Sequence, residues 1–436
     1  MIINSIRNQV NIFIVWLCRK NKNAVAAQVA RGLYTGEQQD LTTKYLDDPY
    51  KGIKDWRKKK IVPICRNITE QIIDKSGLLF KDGLPAFALT KKNKVHEASK
   101  YITEYVDYYD FQSKIQALDT TVRLLKSAIL LIGWDTEEGR FTFDILHHGN
   151  SFIIHDGKLR PQTLIHRTGN KSFQVITKEF FYDLREDEVG NVKLVSEQDN
   201  TFGFIPISLF HDKNAPIYGF THNVDTMLSD FNFALNKQLS LLDYSLAWKQ
   251  QSTLFSNVRL PEQLTLGPGS VVEVEQADAS MNVFIEYRTP DIDVNTINDI
   301  LTNWANMVAG AYSVRLEADT SNITSGFQLV VKENSNLELR KERQRPFEAG
   351  FSKMWDVMSR FIKIVHNIDL SQYEFLVNFP TPSLPINEKE VEEIWSIRID
   401  NKRATVKDYL MEVKGMTSDE ADKKIIELNG GVNNGA

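Results

Sequence analysis

The stretch from Thr221 to Asn367 constrains the fold of this chain more than any other. Val224, Leu228, Phe231, Leu235, Leu239, Leu242 and Leu246 recur at three- and four-residue steps, which places them in one stripe along a helix. A second stripe follows in Val294, Ile297, Leu301, Trp304, Met307 and Val308, so the two segments can pack as an antiparallel pair. Between them Gly267-Pro268-Gly269 breaks the chain. Val271, Val274, Val283, Ile285 and Tyr287 predict two short strands joined around residues 277–281. The expectation is a small β head on a two-helix stem. Beyond the second helix, Ser313 to Gly326 is rich in Ser, Thr, Asn and Asp and has no apolar period, so it reads as a loop. Helical spacing returns from Phe327 to about Asn367, interrupted by Pro346, which lacks a backbone donor and crowds the preceding turn. That predicts a kinked helix of roughly 60 Å at about 1.5 Å per residue.

The flanking sequence completes an α+β chain. Ile2 to Arg31 reads as helix, packed on its own domain or on a neighbouring subunit, and Tyr34 to Pro49 as a polar connector. A helix from Cys65 to Ser76 should end at Gly77 in a left-handed cap. Leu79 to Leu89 reads as strand, and His96–Tyr109 and Phe111–Leu131 as helices. A run of β segments follows, from residues 128–134 to 192–196, punctuated by Gly139, Gly149-Asn150, Asp156-Gly157, Gly169-Asn170 and Gly190-Asn191. Phe204-Ile-Pro206 leads toward the first stem helix. Tyr373 to Phe379 should return as a strand, and the last 50 residues should hold two or three helices, one opened by a capping box at Thr417 and Glu420.

A net charge of −5 argues against a protein that wraps DNA tightly, because neutralising phosphates needs a basic surface. The strongest basic cluster, Lys54 to Lys60, has Trp56 in its midst and reads either as a phosphate contact with a stacking ring or as a solvated face. Cys18 and Cys65 have no metal-binding spacing and read as reduced thiols. The apolar run Ile12–Cys18 is too short to span a membrane and lacks a cleavage pattern, so no export is expected. No P-loop, zinc motif or nucleophile elbow occurs, and the chain calls for no cofactor. His147-His148 reads as structural. Asp135, Glu137 and Glu138 read as a charged turn, with metal ligation by a nuclease as the rival. On the long helix, Lys332, Glu333, Glu338, Arg340, Lys341, Glu342, Arg343 and Arg345 form a mixed-sign run, in which Glu338 and Glu342 each lie three residues before a base, Lys341 or Arg345, as a solvated face or as bridges between subunits.

The order helix, β head, helix, loop, long kinked helix resembles the tailed-bacteriophage portal proteins, the head-to-tail connectors of capsids. Ser325-Gly326-Phe327-Gln328-Leu329-Val330-Val331-Lys332 is similar to the turn that opens that family's long helix. Tyr34-Thr35-Gly36, residues 67–74 and Gly77 to Phe80 resemble its amino-terminal region. The resemblance implies an N-terminal arm and wing over 1–221, stem helices over 222–251 and 293–312, and a clip over 252–292. It further implies a tunnel loop over 313–326, a long kinked helix returning to the wing over 327–386, and a crown over 387–436.

It also implies a non-enzymatic ring of about twelve copies at a capsid vertex, assembled in the host cytoplasm, through which double-stranded DNA passes without sequence specificity. Terminase large subunit and later a head-tail adaptor would dock on the clip, and scaffold and major capsid proteins would meet the wing. Arg315, Glu317, Asp319, Ser321 and Asn322 would face the channel, acids outnumbering the base so that phosphate slides past. Glu273, Glu275, Asp278, Glu286 and Arg288 would lie on the clip surface. The rivals are a metal-dependent nuclease and a scaffold or adaptor protein acting as monomer or dimer.

Overall fold

The computed structural model of the chain describes residues 2–15, 21–77, 79–80, 83–91, 94–156, 160–216, 220–250, 253–256, 285–288, 293–314, 326–380, 395–401, 403–412, 422 and 424–425. The chain divides into two compact units: Met1–Leu316 with Arg340–Pro380, and Glu317–Leu339 with Thr381–Ala436.

The first unit is α+β. Its β region opens with β3 (Ser127–Asp135) and β4 (Arg140–Leu146), turned at Gly139 with φ of 65°. There follows a five-stranded antiparallel meander of β5 (Ser151–His155), β6 (Pro161–Arg167), β7 (Ser172–Thr177), β8 (Phe180–Glu186) and β9 (Val192–Asp199). These strands match the expected run closely because alternating apolar residues and glycine-marked turns specify them twice over. Helix α1 (Ile2–Val15) packs Ile6, Val10 and Phe13 into one core with Ile165, Phe173, Val175 and Leu184 of the meander. The amino-terminal helix therefore rests on its own chain, and Ile12 faces outward.

A strand over Ile207–His211, β10, pairs with β3 where the sequence suggested only a lead-in to the stem. Two further expectations change. Residues 34–49 are not a connector, since α2 (Lys22–Tyr34) is followed by α3 (Gln38–Asp47). The helix expected to reach Leu131 is α6 (Tyr108–Leu125), which stops at Lys126 in a left-handed conformation with φ of 67°, so Ile129 belongs to β3. Helix α4 (Ile68–Lys75) ends before Gly77, φ 48°, as expected. Strand β1 (Ala86–Lys91) pairs with the short β2 (Lys94–Val95). The short helix α5 (Lys100–Glu104) follows.

The stem expectation meets α7 (Met227–Gln250) and α8 (Val294–Ala311), which share a core through Leu228, Leu235, Leu301 and Val308. Between them, β11 (Thr253–Ser256) pairs antiparallel with β12 (Ile285–Arg288). Ile285 and Tyr287 are in a strand as expected. The partner proposed around Val271 and Val274 lies outside the described residues.

Helix α9 (Gly326–His366) is continuous over 41 residues with Pro346 inside it, and Asn367, φ 57°, ends it. From Arg340 onward it belongs to the first unit. There Phe347, Phe351, Met354, Met358, Phe361 and Ile362 join Phe111, Ile115, Leu118 and Val122 of α6 and Phe141 and Phe143 of β4 in the largest core. Strand β13 (Glu374–Asn378) then pairs with β1.

In the second unit, α10 has described residues 395–400 and α11 spans Val406–Glu412. Trp395 meets Tyr409 edge-on at 5.7 Å. A capping box forms at Thr405 and Asp408, whose side chains each accept from the other's backbone N–H, at 3.2 and 2.7 Å. The box expected at Thr417 and Glu420 lies outside the described residues.

Candidate functional site

The helix pair α7 and α8 is the centre of the candidate site, and α7 owes its position to polar residues the apolar stripe does not include. Asn232, Asn236 and Ser240, all fully buried, recur every four residues on one side of α7. Asn232 Oδ1 accepts from the backbone N–H of Ile68 at 3.0 Å, Asn236 Oδ1 from Arg66 at 2.9 Å, and Ser240 Oγ from Ile64 at 2.8 Å. Four residues of helix advance about 6 Å and two residues of extended chain about 6.6 Å, so the two ladders stay in step. Asn232 and Asn236 also donate to Gln38 and Thr42 of α3. The segment entering α7 is held as well: the His222 N–H donates to Ser127 Oγ at 2.8 Å, and Asn23 grips Asn223 and the Val224 N–H.

At the other end of the pair, α8 stops in a tight reversal. Val314 N–H donates to Ala309 O, and Ser313 takes φ of 56°. From this foot a chain of charges runs to α9. Tyr312 donates to Asp225 at 3.0 Å, and burial, reinforced by Asp225, pushes its pKa far up. Lys126 lies over the Tyr312 ring and pairs with Asp212 at 3.0 Å. Arg343, 1% exposed, bridges Asp212 at 2.6 Å and Asp119 at 2.7 Å and also donates to Gly77 O. Burial alone would lower the guanidinium's pKa and raise that of Asp212. The charges of Asp119 and Asp212 beside the guanidinium, and of Arg343 and Lys126 beside Asp212, outweigh it, so Arg343 is raised and Asp212 lowered. Nearby, Arg340 donates to Leu79 O and Pro380 O. Arg340 and Arg343 are thus buried anchors of α9, not part of a charged outer face.

The residues singled out for chemistry fall as follows. Asp135 accepts from the backbone N–H of Glu137 and Glu138 at 2.8 and 3.2 Å, so this acidic trio is a hairpin turn, and no metal-holding cluster occurs among the described residues. His147 is buried in the turn after β4, where its Nδ1 accepts from the Gly149 N–H at 2.9 Å and its ring lies against Arg31. Burial and the Arg31 charge bring its pKa down to about 3. Cys65 is free. Trp56 donates to Asp47 and carries the Arg57 guanidinium over its ring at 5.1 Å, so its stacking face is occupied. Arg315, Glu317, Asp319, Ser321 and Asn322 lie outside the described residues, as do Glu273, Glu275 and Asp278. Glu286 and Arg288 fall on β12, opposite Phe255 and Thr253.

Sequence reading missed Asp119, Asp212 and Arg343. A signal was present, since Arg343 lies four residues before Phe347 and eight before Phe351, on the apolar stripe of α9. A charge in that register implies a buried partner.

The family model for phage portal proteins of the SPP1 Gp6-like type matches residues 20–424. The chain belongs to the phage portal protein family. No curated protein matches it. The family is structural and not a family of enzymes, and membership implies a ring oligomer associated with the capsid of the virion. No helix among the described residues of this portal chain is long and apolar enough to cross a membrane.

Proposed function

We propose that the chain is the portal subunit of a capsid vertex, closing as a head-to-tail ring of about twelve copies around a channel for double-stranded DNA. DNA enters during packaging and leaves at ejection. Terminase large subunit docks on residues 252–292 during filling and a head-tail adaptor replaces it, while scaffold and major capsid proteins contact the wing, residues 1–221. In this reading residues 313–326 line the channel through Arg315, Glu317, Asp319, Ser321 and Asn322. Glu273, Glu275, Asp278, Glu286 and Arg288 face the docking partners, and residues 387–436 form the crown.

The observation that carries the proposal is the α7–α8 pair, closed by a strand pair on one side and a reversal on the other, in a chain of the portal family. Support for the ring comes from α8 itself. Asp299 is the one charged residue in Val294–Ala311. Beside its buried face, Ile300, Trp304 and Met307 recur at helical spacing and are 46%, 42% and 69% exposed. The sequence stripe sets Trp304 and Met307 against α7, but the contact with α7 takes only the narrower Leu301–Val308 face. An apolar stripe left open in one chain, with a tryptophan at its middle, suits a neighbouring subunit.

Negative-stain images and native mass of the purified protein test this. Rings with a central hole are expected, and Trp304→Ser with Met307→Ser should lower their yield while the chain stays folded. Monomers or dimers at every protein and salt concentration would overturn the proposal.

A further inference from the structure

The basic segment Lys51–Lys60 has no role in the stem, yet it is built with care. It holds six Lys or Arg and one Asp, a local charge of +5 in a chain of −5, which leaves −10 on the remainder. The segment follows α3 as a series of hydrogen-bonded turns. Gly52 N–H donates to Asp48 O at 2.9 Å, Lys59 N–H to Asp55 O at 3.0 Å, and Ile61 N–H to Trp56 O at 3.1 Å. Asp48 caps the amides of Tyr50 and Lys51, and Lys237 of α7 donates to Lys51 O at 2.7 Å. Asp55 and Lys60 hold left-handed backbone at φ of 56° and 54°, which non-glycine residues adopt only where the surroundings fix them.

Lys51 is exposed at the entry to these turns, and the five cations from Lys54 to Lys60 divide into two sets. Arg57 is spent internally, against Asp47 at 2.6 Å and over Trp56. Lys54, Lys58, Lys59 and Lys60 stand exposed, and only Lys58 has an ion-pair partner among the described residues, Asp55 at 3.2 Å. We propose that these four lysines form a preorganised platform for the phosphate backbone of double-stranded DNA.

Lysines carry compact charges without the planar fork that selects a carboxylate, and the arginine that could supply one is already bound. Phosphate contact without base reading follows, as does a preference for duplex, because Arg57 occupies one face of the Trp56 ring and Asp47 its N–H, which limits stacking of an unpaired base there. The acidic remainder of the chain directs a polyanion to this segment by repelling it elsewhere. The proposal rests on the portal reading for its ligand, but it uses residues other than those of the proposed channel loop.

The test measures binding of a short duplex by fluorescence anisotropy between about 50 and 200 mM salt. It compares the full-length protein with Lys54→Gln/Lys58→Gln/Lys59→Gln/Lys60→Gln and with a control changing Lys100, Lys171, Lys193 and Lys353 to Gln. Each phosphate contact contributes about 0.9 to the slope of log K against log salt, so the platform variant should lose roughly 3 to 4 from that slope and the control little.

An unchanged slope overturns the proposal, as does equal loss in the control. Tighter binding of single-stranded DNA of equal length, with Tyr50 at 96% exposure as the stacking ring, overturns the duplex assignment. Loss of rings in the platform variant, with no duplex binding by the unmodified protein, would make the segment a subunit contact instead. Ring images of the same samples keep the two readings separate: rings without platform-dependent binding sink the platform alone, and binding without rings sinks the portal reading alone.

Discussion

Arg343 is a charge placed where an apolar side chain would ordinarily stand, and its neighbours make removal costly. Replacing it by Met leaves Asp119 and Asp212 buried without their common partner, a loss on the order of 3–5 kcal/mol that thermal or denaturant unfolding would register. Asp119 also meets the buried Arg123 at 3.4 Å and Asp212 meets Lys126, so the acids cannot be removed without stranding those cations. Arg343→Lys, which keeps the charge without the fork, should recover only part of the loss, and a lysine variant as stable as the unmodified chain would contradict this account. Gly350 is a second point of intolerance. A Cβ there would sit 2.5 Å from the Phe210 ring, which is itself wedged against Phe347 and Phe351. Gly350→Ala should therefore cost about 1–3 kcal/mol through overpacking.

His147 and His211 make stability depend on pH. Burial, with the Arg31 charge for His147 and the His222 charge for His211, lowers their pKa values from the ordinary 6.5 to about 3 and about 4. The unfolded chain therefore binds more protons than the folded one between those values, and the stability held above pH 6.5 is lost as pH falls toward 4. The slope reaches roughly 1.4 kcal/mol per pH unit for each histidine. Melting temperatures from pH 7.5 to 4.5 should decline, and His147→Gln should flatten the decline; identical pH profiles would contradict the assignment. None of these residues was legible as a site. His147 lies against Arg31 of α2 and His211 against Ser127 of β3, partners distant in sequence that no local pattern announces.

Among the elements, those specified by two agreeing signals were legible. The meander strands had both alternation and glycine turns, and α7, α8 and α9 had long apolar periods. Elements lacking one signal were not: α3 is mostly polar because its buried face is Gln38, Thr42 and Leu46, and α6 stops at Lys126, where no glycine marks the left-handed residue. The polar ladder of α7 was invisible for a related reason. Asn232, Asn236 and Ser240 look like solvent-facing residues until the extended segment 64–68 is laid along them. Asn236→Ala removes the acceptor for the Arg66 N–H and the donor to Thr42, so a cost of roughly 1–3 kcal/mol is expected. Amide exchange at Arg66 should accelerate more than at residues in the meander. Uniform protection across residues 64–68 in the variant would show that the ladder does not hold this segment.

For the whole molecule, the order of elements carried the family. No single motif in the chain is diagnostic, yet stem, strand pair, reversal and long helix in that sequence agree with the match over residues 20–424. What order could not convey is how the charged residues divide between duties. Arg340 and Arg343 read as members of one mixed-sign face with Glu338 and Lys341, and folding assigns them to the interior. The basic segment after α3 read either as a phosphate contact with a stacking ring or as a solvated face, and folding ties its half-buried tryptophan to Asp47 and Arg57 while leaving four lysines outward.

The salt link at Arg343 also sets a mechanical limit. A guanidinium seated between two carboxylates acts as a detent for the helix that bears it: sliding α9 by a single residue, about 1.5 Å along its axis and 100° around it, swings the group out of its seat. That portion of the helix has one axial setting against the sheet body. Within the first unit the Arg340–His366 portion of α9 is free to tilt about Arg343 but not to slide past it as a piston.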